Sequence, residues 1–168
     1  MFTQIFARLT RMVKFDFTVF PEIEQDEAAT TEAAVIVLVV SLIGALGSVG
    51  YGFRQFLLQF IISVGVGWLL WAYLTMLIGT RVFGGNATFW GMARTLGYAS
   101  APGILRLLGA IPIIGWLFSL AAWVLSLILG FYAVRETLEV TTEKAILTVL
   151  IGWAVMVVVS VILFFVIF

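Results

Sequence analysis

Residues 33–49 read AAVIVLVVSLIGALGSV, a run without a single charged side chain. At 1.5 Å per residue a helix of this length covers about 26 Å, just enough for the hydrocarbon core of a bilayer with its flanks. Glu32 and the Thr30-Thr31 pair ahead of it suit the acidic, capped N-terminus of such a helix. Comparable runs fill the rest of the chain, so that 63% of its 168 residues are hydrophobic. A water-soluble domain of that size cannot hide so much apolar surface, and the composition belongs to the polytopic membrane class.

Working outward, four more apolar segments follow, at 56–78, 88–110, 113–134 and 145–168. The second is long enough to tilt and ends in a turn-rich connector, Gly79-Thr80 and then Gly84-Gly85-Asn86. The hydrophilic piece RETLEVTTEK (135–144) separates the fourth from the fifth. The fifth has no charge after Lys144 and no polar tail, which puts its end, Phe168, at the far interface.

The third segment, TFWGMARTLGYASAPGILRLLGA, is the interrupted one, with Arg94, Arg106 and Pro102 inside it. Proline has no N–H, so the carbonyl of Tyr98 loses its helical partner and a kink or break is expected near residues 99–101. The preferred reading is one kinked crossing, in which each arginine lies one to two turns from an end and snorkels to headgroups. A re-entrant pair of half-helices is the alternative.

Lysines and arginines in the short connectors orient the chain. Under five crossings one side receives Arg8, Arg11, Lys14, Arg81, Arg94, Arg135 and Lys144, and the other only Arg54 and Arg106. That asymmetry predicts a cytoplasmic N-terminus and an external C-terminus. Four crossings would weaken the bias.

Residues 1–32 form a separate leader. In FTQIFARLTRMVK (2–14), Phe2, Ile5, Phe6, Leu9, Met12 and Val13 recur every three or four residues while Gln4, Arg8, Arg11 and Lys14 take the other face. Two roles fit this amphipathic helix: lying in the cytoplasmic headgroup layer, or packing on the bundle. Pro21 and the acids between Glu22 and Glu27 are expected to make a solvated connector.

Chemistry is constrained by what is missing. Without His or Cys the usual ligands for zinc, copper, haem and iron–sulfur centres are absent, as are Cys nucleophiles and His bases. Nine basic and nine acidic residues cancel, which argues against a nucleic-acid partner. No carboxylate lies between Ala33 and Arg135, so the mid-membrane acids of proton- and cation-coupled transport are lacking. No catalytic, metal or cofactor residue is therefore expected. Arg94 and Arg106 are the charges of interest, as contacts for headgroups or anions. Arg94 is predicted to meet phosphate or one of Glu136, Glu139 and Glu143. Asn86-Ala87-Thr88 matches a glycosylation pattern that the orientation places in the cytoplasm. Tyr51, Trp90, Trp116 and Tyr132 sit at predicted ends, as an interfacial belt requires.

The stretch from Arg94 through Gly97, Tyr98 and Ser100 to Pro102 resembles the GY…P signature of the Yip family of Ypt/Rab-interacting membrane proteins. The surroundings agree: an Ile-Pro step between Ile111 and Gly115, Trp123 in the fourth span, and the Lys144-Ala145 pair. The resemblance covers essentially the whole chain and is nearest to the shorter prokaryotic branch. It implies five crossings with a cytosolic N-terminus, and gives Gly97, Tyr98 and Pro102 the role of signature at the helix break. Eukaryotic members act with small GTPases in trafficking, but the short tail here leaves little room for a GTPase-binding region.

The expected fold is an all-α, polytopic transmembrane bundle of five spans over 33–168, preceded by the amphipathic cytoplasmic helix and acidic linker of 1–32. The expected function is that of a non-enzymatic membrane organiser or adaptor. Its partners would be the lipid bilayer and, beyond it, other membrane proteins or a second copy. A small-solute or ion transporter or channel component, and a lipid-binding or scrambling protein, are the competing readings.

Overall fold

The computed structural model describes residues 1–167, with side chains through Phe165. The placement expected for Phe168 lies outside the described residues. The chain is helical throughout: α1 (Phe2–Val13), α2 (Val19–Gln25), α3 (Ala29–Leu46), α4 (Phe53–Val64), α5 (Trp71–Arg81), α6 (Phe89–Ala99), α7 (Gly115–Leu138) and α8 (Thr142–Ile167), with no strand among the described residues. A π-helical turn, Gly65–Leu70, joins α4 to α5, and a 3-10 helix, Ala101–Ala110, follows α6. Four helical stretches are long and apolar enough to cross a membrane: α3, Phe53–Arg81, α7 and α8.

Their surfaces fit that solvent. Leu38, Leu42, Leu120, Trp123, Leu150, Trp153 and Val158 all face outward, whereas in water such side chains would each add a core contribution of about 1.5–3 kcal/mol by burying. Many of the positions buried between these spans are instead small or hydroxylated. Ala33, Ala72, Ala93, Ala122, Ala133 and Thr75 are sealed between helices, because without a hydrophobic drive between helices, close van der Waals approach holds the bundle. Where α3 meets α6, a Cβ on Gly97 would lie 2.7 Å from the Cβ of Ala33, and where it meets the 3-10 helix, one on Gly103 would lie 2.4 Å from Val40.

Several boundaries differ from the sequence reading. α3 starts at Ala29, one turn before the apolar run, so Glu32 becomes a helical, buried residue. α7 continues through Leu138, deep into the hydrophilic piece, and stops only where Glu139 takes a left-handed conformation (φ 53°). The acidic connector is not solvated coil: it folds as α2, and Val19, Phe20 and Ile23 are fully buried. Their spacing puts one apolar face on the bundle, while Phe17 stacks on Tyr132 at 3.6 Å between ring centroids. Tyr132 is thus a packing residue, whereas Tyr51, Trp90 and Trp116 remain exposed. The glycosylation-like Thr88 is the N-cap of α6, accepting a hydrogen bond from the Gly91 N–H at 3.0 Å.

Candidate functional site

Pro102 shapes the centre of the molecule. α6 ends at Ala99, as the missing N–H requires, and the chain tightens into i→i+3 bonding, with the Gly103 N–H donating to the Ser100 carbonyl at 2.9 Å. The Ser100 hydroxyl donates to the Gly97 carbonyl at 2.6 Å, which satisfies one of the acceptors freed at the break. Opposite, the π turn rotates Trp68 into α6, and its indole N–H donates to the Ala93 carbonyl at 2.8 Å.

Below the break lies a charged cluster. The Tyr98 side chain is fully buried, and its hydroxyl donates to Glu32 Oε2, itself on a side chain only 2% exposed. The same oxygen accepts from Arg8 Nη1 at 2.6 Å, while Arg8 Nη2 reaches Asp26 at 2.5 Å. The guanidinium also lies 5.8 Å from the Tyr98 ring centroid, within cation–π range. Arg8 holds Asp26 below the ordinary carboxylate range through this hydrogen bond, against partial burial. Sequence reasoning singled out Tyr98 but missed Arg8, Asp26 and Glu32. They come from separate segments, and nothing local marks Glu32, in the first turn of α3, for burial.

Arg94 belongs to the same end of the bundle. Its Nε donates to Thr30 Oγ1 at 2.7 Å and its Nη1 to the Glu24 carbonyl at 2.5 Å. These bonds replace the predicted contacts with Glu136, Glu139 or Glu143: α2 folds over α6 and supplies nearer acceptors, while Glu136 accepts from Arg135. Arg94 staples the leader to the bundle. The Glu24 carboxyl beside it is pushed up to about 7 by burial and by Glu139, with Arg94 opposing.

Above the break, the 3-10 helix, α3, the π turn and α7 leave a cavity of about 340 Å³, walled by Ser41, Ser63, Ser100 and Ser126, with Trp71 and Arg106. The Ser63 hydroxyl donates to Ser41 at 3.0 Å. Arg106 makes no hydrogen bond or ion pair among the described residues. The two arginines that look alike in sequence are thus separated: Arg94 is built into the scaffold, and Arg106 borders open space. Gly97, Tyr98 and Pro102 lie between them, packing α3 against the break. Among the described residues no group of three or more His, Cys, Asp or Glu is placed to hold a metal ion.

No curated protein and no solved structure matches the chain. The helical bundle, its four membrane-length helices and the broken third segment agree with a match of residues 17–163 to the Yip1 domain, and the chain belongs to the Yip1 domain family of membrane proteins.

Proposed function

We propose that this protein is a non-enzymatic organiser of the plasma membrane, crossing it five times with its N-terminus in the cytoplasm. It acts through surfaces it offers to lipid and to other membrane proteins, not through a reaction centre. The observation that carries this reading is the double-sided geometry of α1. Ile5 and Met12 are buried against the bundle and Arg8 is bolted to Asp26 and Glu32. The adjacent stripe is left outside: Phe2, Phe6, Val13 and, just beyond the helix, Phe15 are each at least 60% exposed. A helix rigidly held while it presents aromatic side chains suits insertion into the headgroup layer, where buried apolar area drives binding.

The fifth crossing is supported by reach. Thr95 hydrogen-bonds Thr137 at 2.9 Å near one end of α7, and Gly109 lies against Ser119 near the other. Between those two contacts the third segment advances about 27 Å along α7, at 1.5 Å per residue. The 3-10 geometry makes this possible, since a rise of about 2.0 Å per residue stretches ten residues to about 20 Å.

With no native cysteine, a nitroxide on Phe6→Cys reports depth directly. In nanodiscs it should be relaxed by oxygen in the lipid phase and shielded from a water-soluble nickel complex. Equal access to nickel at Phe6→Cys and at a cysteine on exposed Thr3 would refute surface insertion. Liposomes bearing the protein should pass no solute or ion flux. Robust flux abolished by changes at Pro102 or Arg106 would replace the organiser with a transporter.

A further inference from the structure

We infer that the cavity above the α6 break binds the phosphate group of an anionic phospholipid, with Arg106 as its counter-charge. This goes beyond the role given to α1 and requires only that 89–110 lies in the bilayer.

Arg8, Arg11, Arg94 and Arg135 all donate to carboxylates, hydroxyls or carbonyls of the chain. Arg106 does not, among the described residues. No carboxylate exists between Ala33 and Arg135, so the stretch from Val37 to Gly130 that supplies the cavity walls offers it none. An unpaired guanidinium at membrane depth is costly and draws in water or an anion. Its planar fork of donors matches two phosphate oxygens at once.

The surroundings choose the source of that phosphate. Ile104, Leu107 and Leu108 flank Arg106 on the same segment and are 50%, 56% and 38% exposed. A free phosphate ion would have to leave water for this apolar rim. A phospholipid brings its phosphate already tethered to acyl chains that cover the leucines. The volume, about 340 Å³, falls within the range of small-molecule sites, and the serine hydroxyls supply hydrogen bonds for glycerol and ester oxygens. Arg106 approaches Gly44, two residues from the C-terminal end of α3, while the cavity extends back to Val37. That span is about 10 Å at 1.5 Å per residue, a slot with its charge near the interface and its hydroxyls deeper.

The full-length protein, stripped of lipid in detergent, is titrated with phosphatidylglycerol, phosphatidylcholine or inorganic phosphate and read by native mass spectrometry. The wild type should retain phosphatidylglycerol at least tenfold more tightly than phosphatidylcholine. Arg106→Gln should lose that preference, with unfolding in lipid-free detergent unchanged, and Arg54→Gln, on an exposed arginine away from the cavity, should keep it. Ser126→Met leaves the charge in place but fills the slot, and should weaken retention by a similar factor; it also carries the test should Arg106→Gln fail to fold. Unchanged retention in a folded Arg106→Gln or in Ser126→Met, or equal retention of the two lipids, would overturn the site. Displacement of phosphatidylglycerol by equimolar inorganic phosphate would make it a free-anion site and overturn the lipid assignment. None of these outcomes bears on the depth of Phe6, so this inference and the α1 reading fail separately.

Discussion

Replacing Arg8 with Met strands a carboxylate. In the native protein Glu32 Oε2 accepts from both Arg8 and Tyr98, on side chains 15% exposed for Arg8 and 2% exposed for Glu32. Removing one partner of a buried ion pair costs about 3–5 kcal/mol, since the remaining charge stays out of water. The Tyr98 hydroxyl still serves Glu32 in the variant, and Arg8 was partly wet, so the lower end, about 3 kcal/mol, applies. For a chain of this size that corresponds to a fall of roughly 6–12 °C in Tm. Glu32→Gln alone should cost less, because Arg8 keeps Asp26 at 2.5 Å. In the double variant no buried charge is stranded, since Asp26 also loses Arg8 but is 32% exposed, and about 2 kcal/mol of the loss should return as a coupling between the two sites. Thermal unfolding in one detergent, followed by tryptophan fluorescence for all four proteins, closes the cycle. Additive single losses, or an Arg8→Met protein that melts with the wild type, would show that the cluster does not anchor α1.

Gly97→Ala forces a methyl to within 2.7 Å of the Ala33 Cβ and 3.3 Å of its backbone Cα, so α3 and α6 must part; a loss of about 1–3 kcal/mol is expected from overpacking, and an unchanged Tm would mean the contact is looser than described. Glu24 gives a pH signature. Burial and Glu139 push its carboxyl up to about 7 from an ordinary 4.5, so the folded state holds the proton more tightly and stability falls as pH rises through that window, then levels off. Glu24→Gln should therefore gain on the order of 1 kcal/mol over wild type at pH 8, after allowance for the site's partial exposure, and nothing by pH 4. A gain of equal size at both pH values would locate the effect outside the titration.

Phospholipid selectivity at Arg106 and headgroup insertion at Phe6 concern opposite ends of one segment array. The leader is stapled to the bundle by Arg8, through Glu32 of α3, and by Arg94 of α6, and the cavity opens beyond the α6 break. Tyr98, immediately before the break, belongs to the first by its hydroxyl and borders the second through its neighbour Ala99. Both surfaces fit a protein that works on the membrane around it.

Some of this was legible residue by residue. Unbroken apolar runs demand lipid because backbone and side chains have no other compatible solvent, and a proline in such a run stops α-helical bonding wherever it stands; both are local consequences of covalent chemistry. The helical leader α1 was equally plain from its 3.6-residue stripe. The burial of the acidic connector was not, because α2 is short and its apolar face is satisfied chiefly by the distant α6 and α7. Nor could sequence tell Arg94 from Arg106. Each sits in the same apolar stretch with no acid nearby in the chain, and their difference arises from acceptors at Thr30 and Glu24, 64 and 70 residues away. Solvent, helix content and the break in the third segment were thus settled by the order of side chains along the chain, while which charges became structure and which one was left facing a cavity was decided by packing, since an ion pair depends on distance in space and the linear sequence does not encode that distance locally.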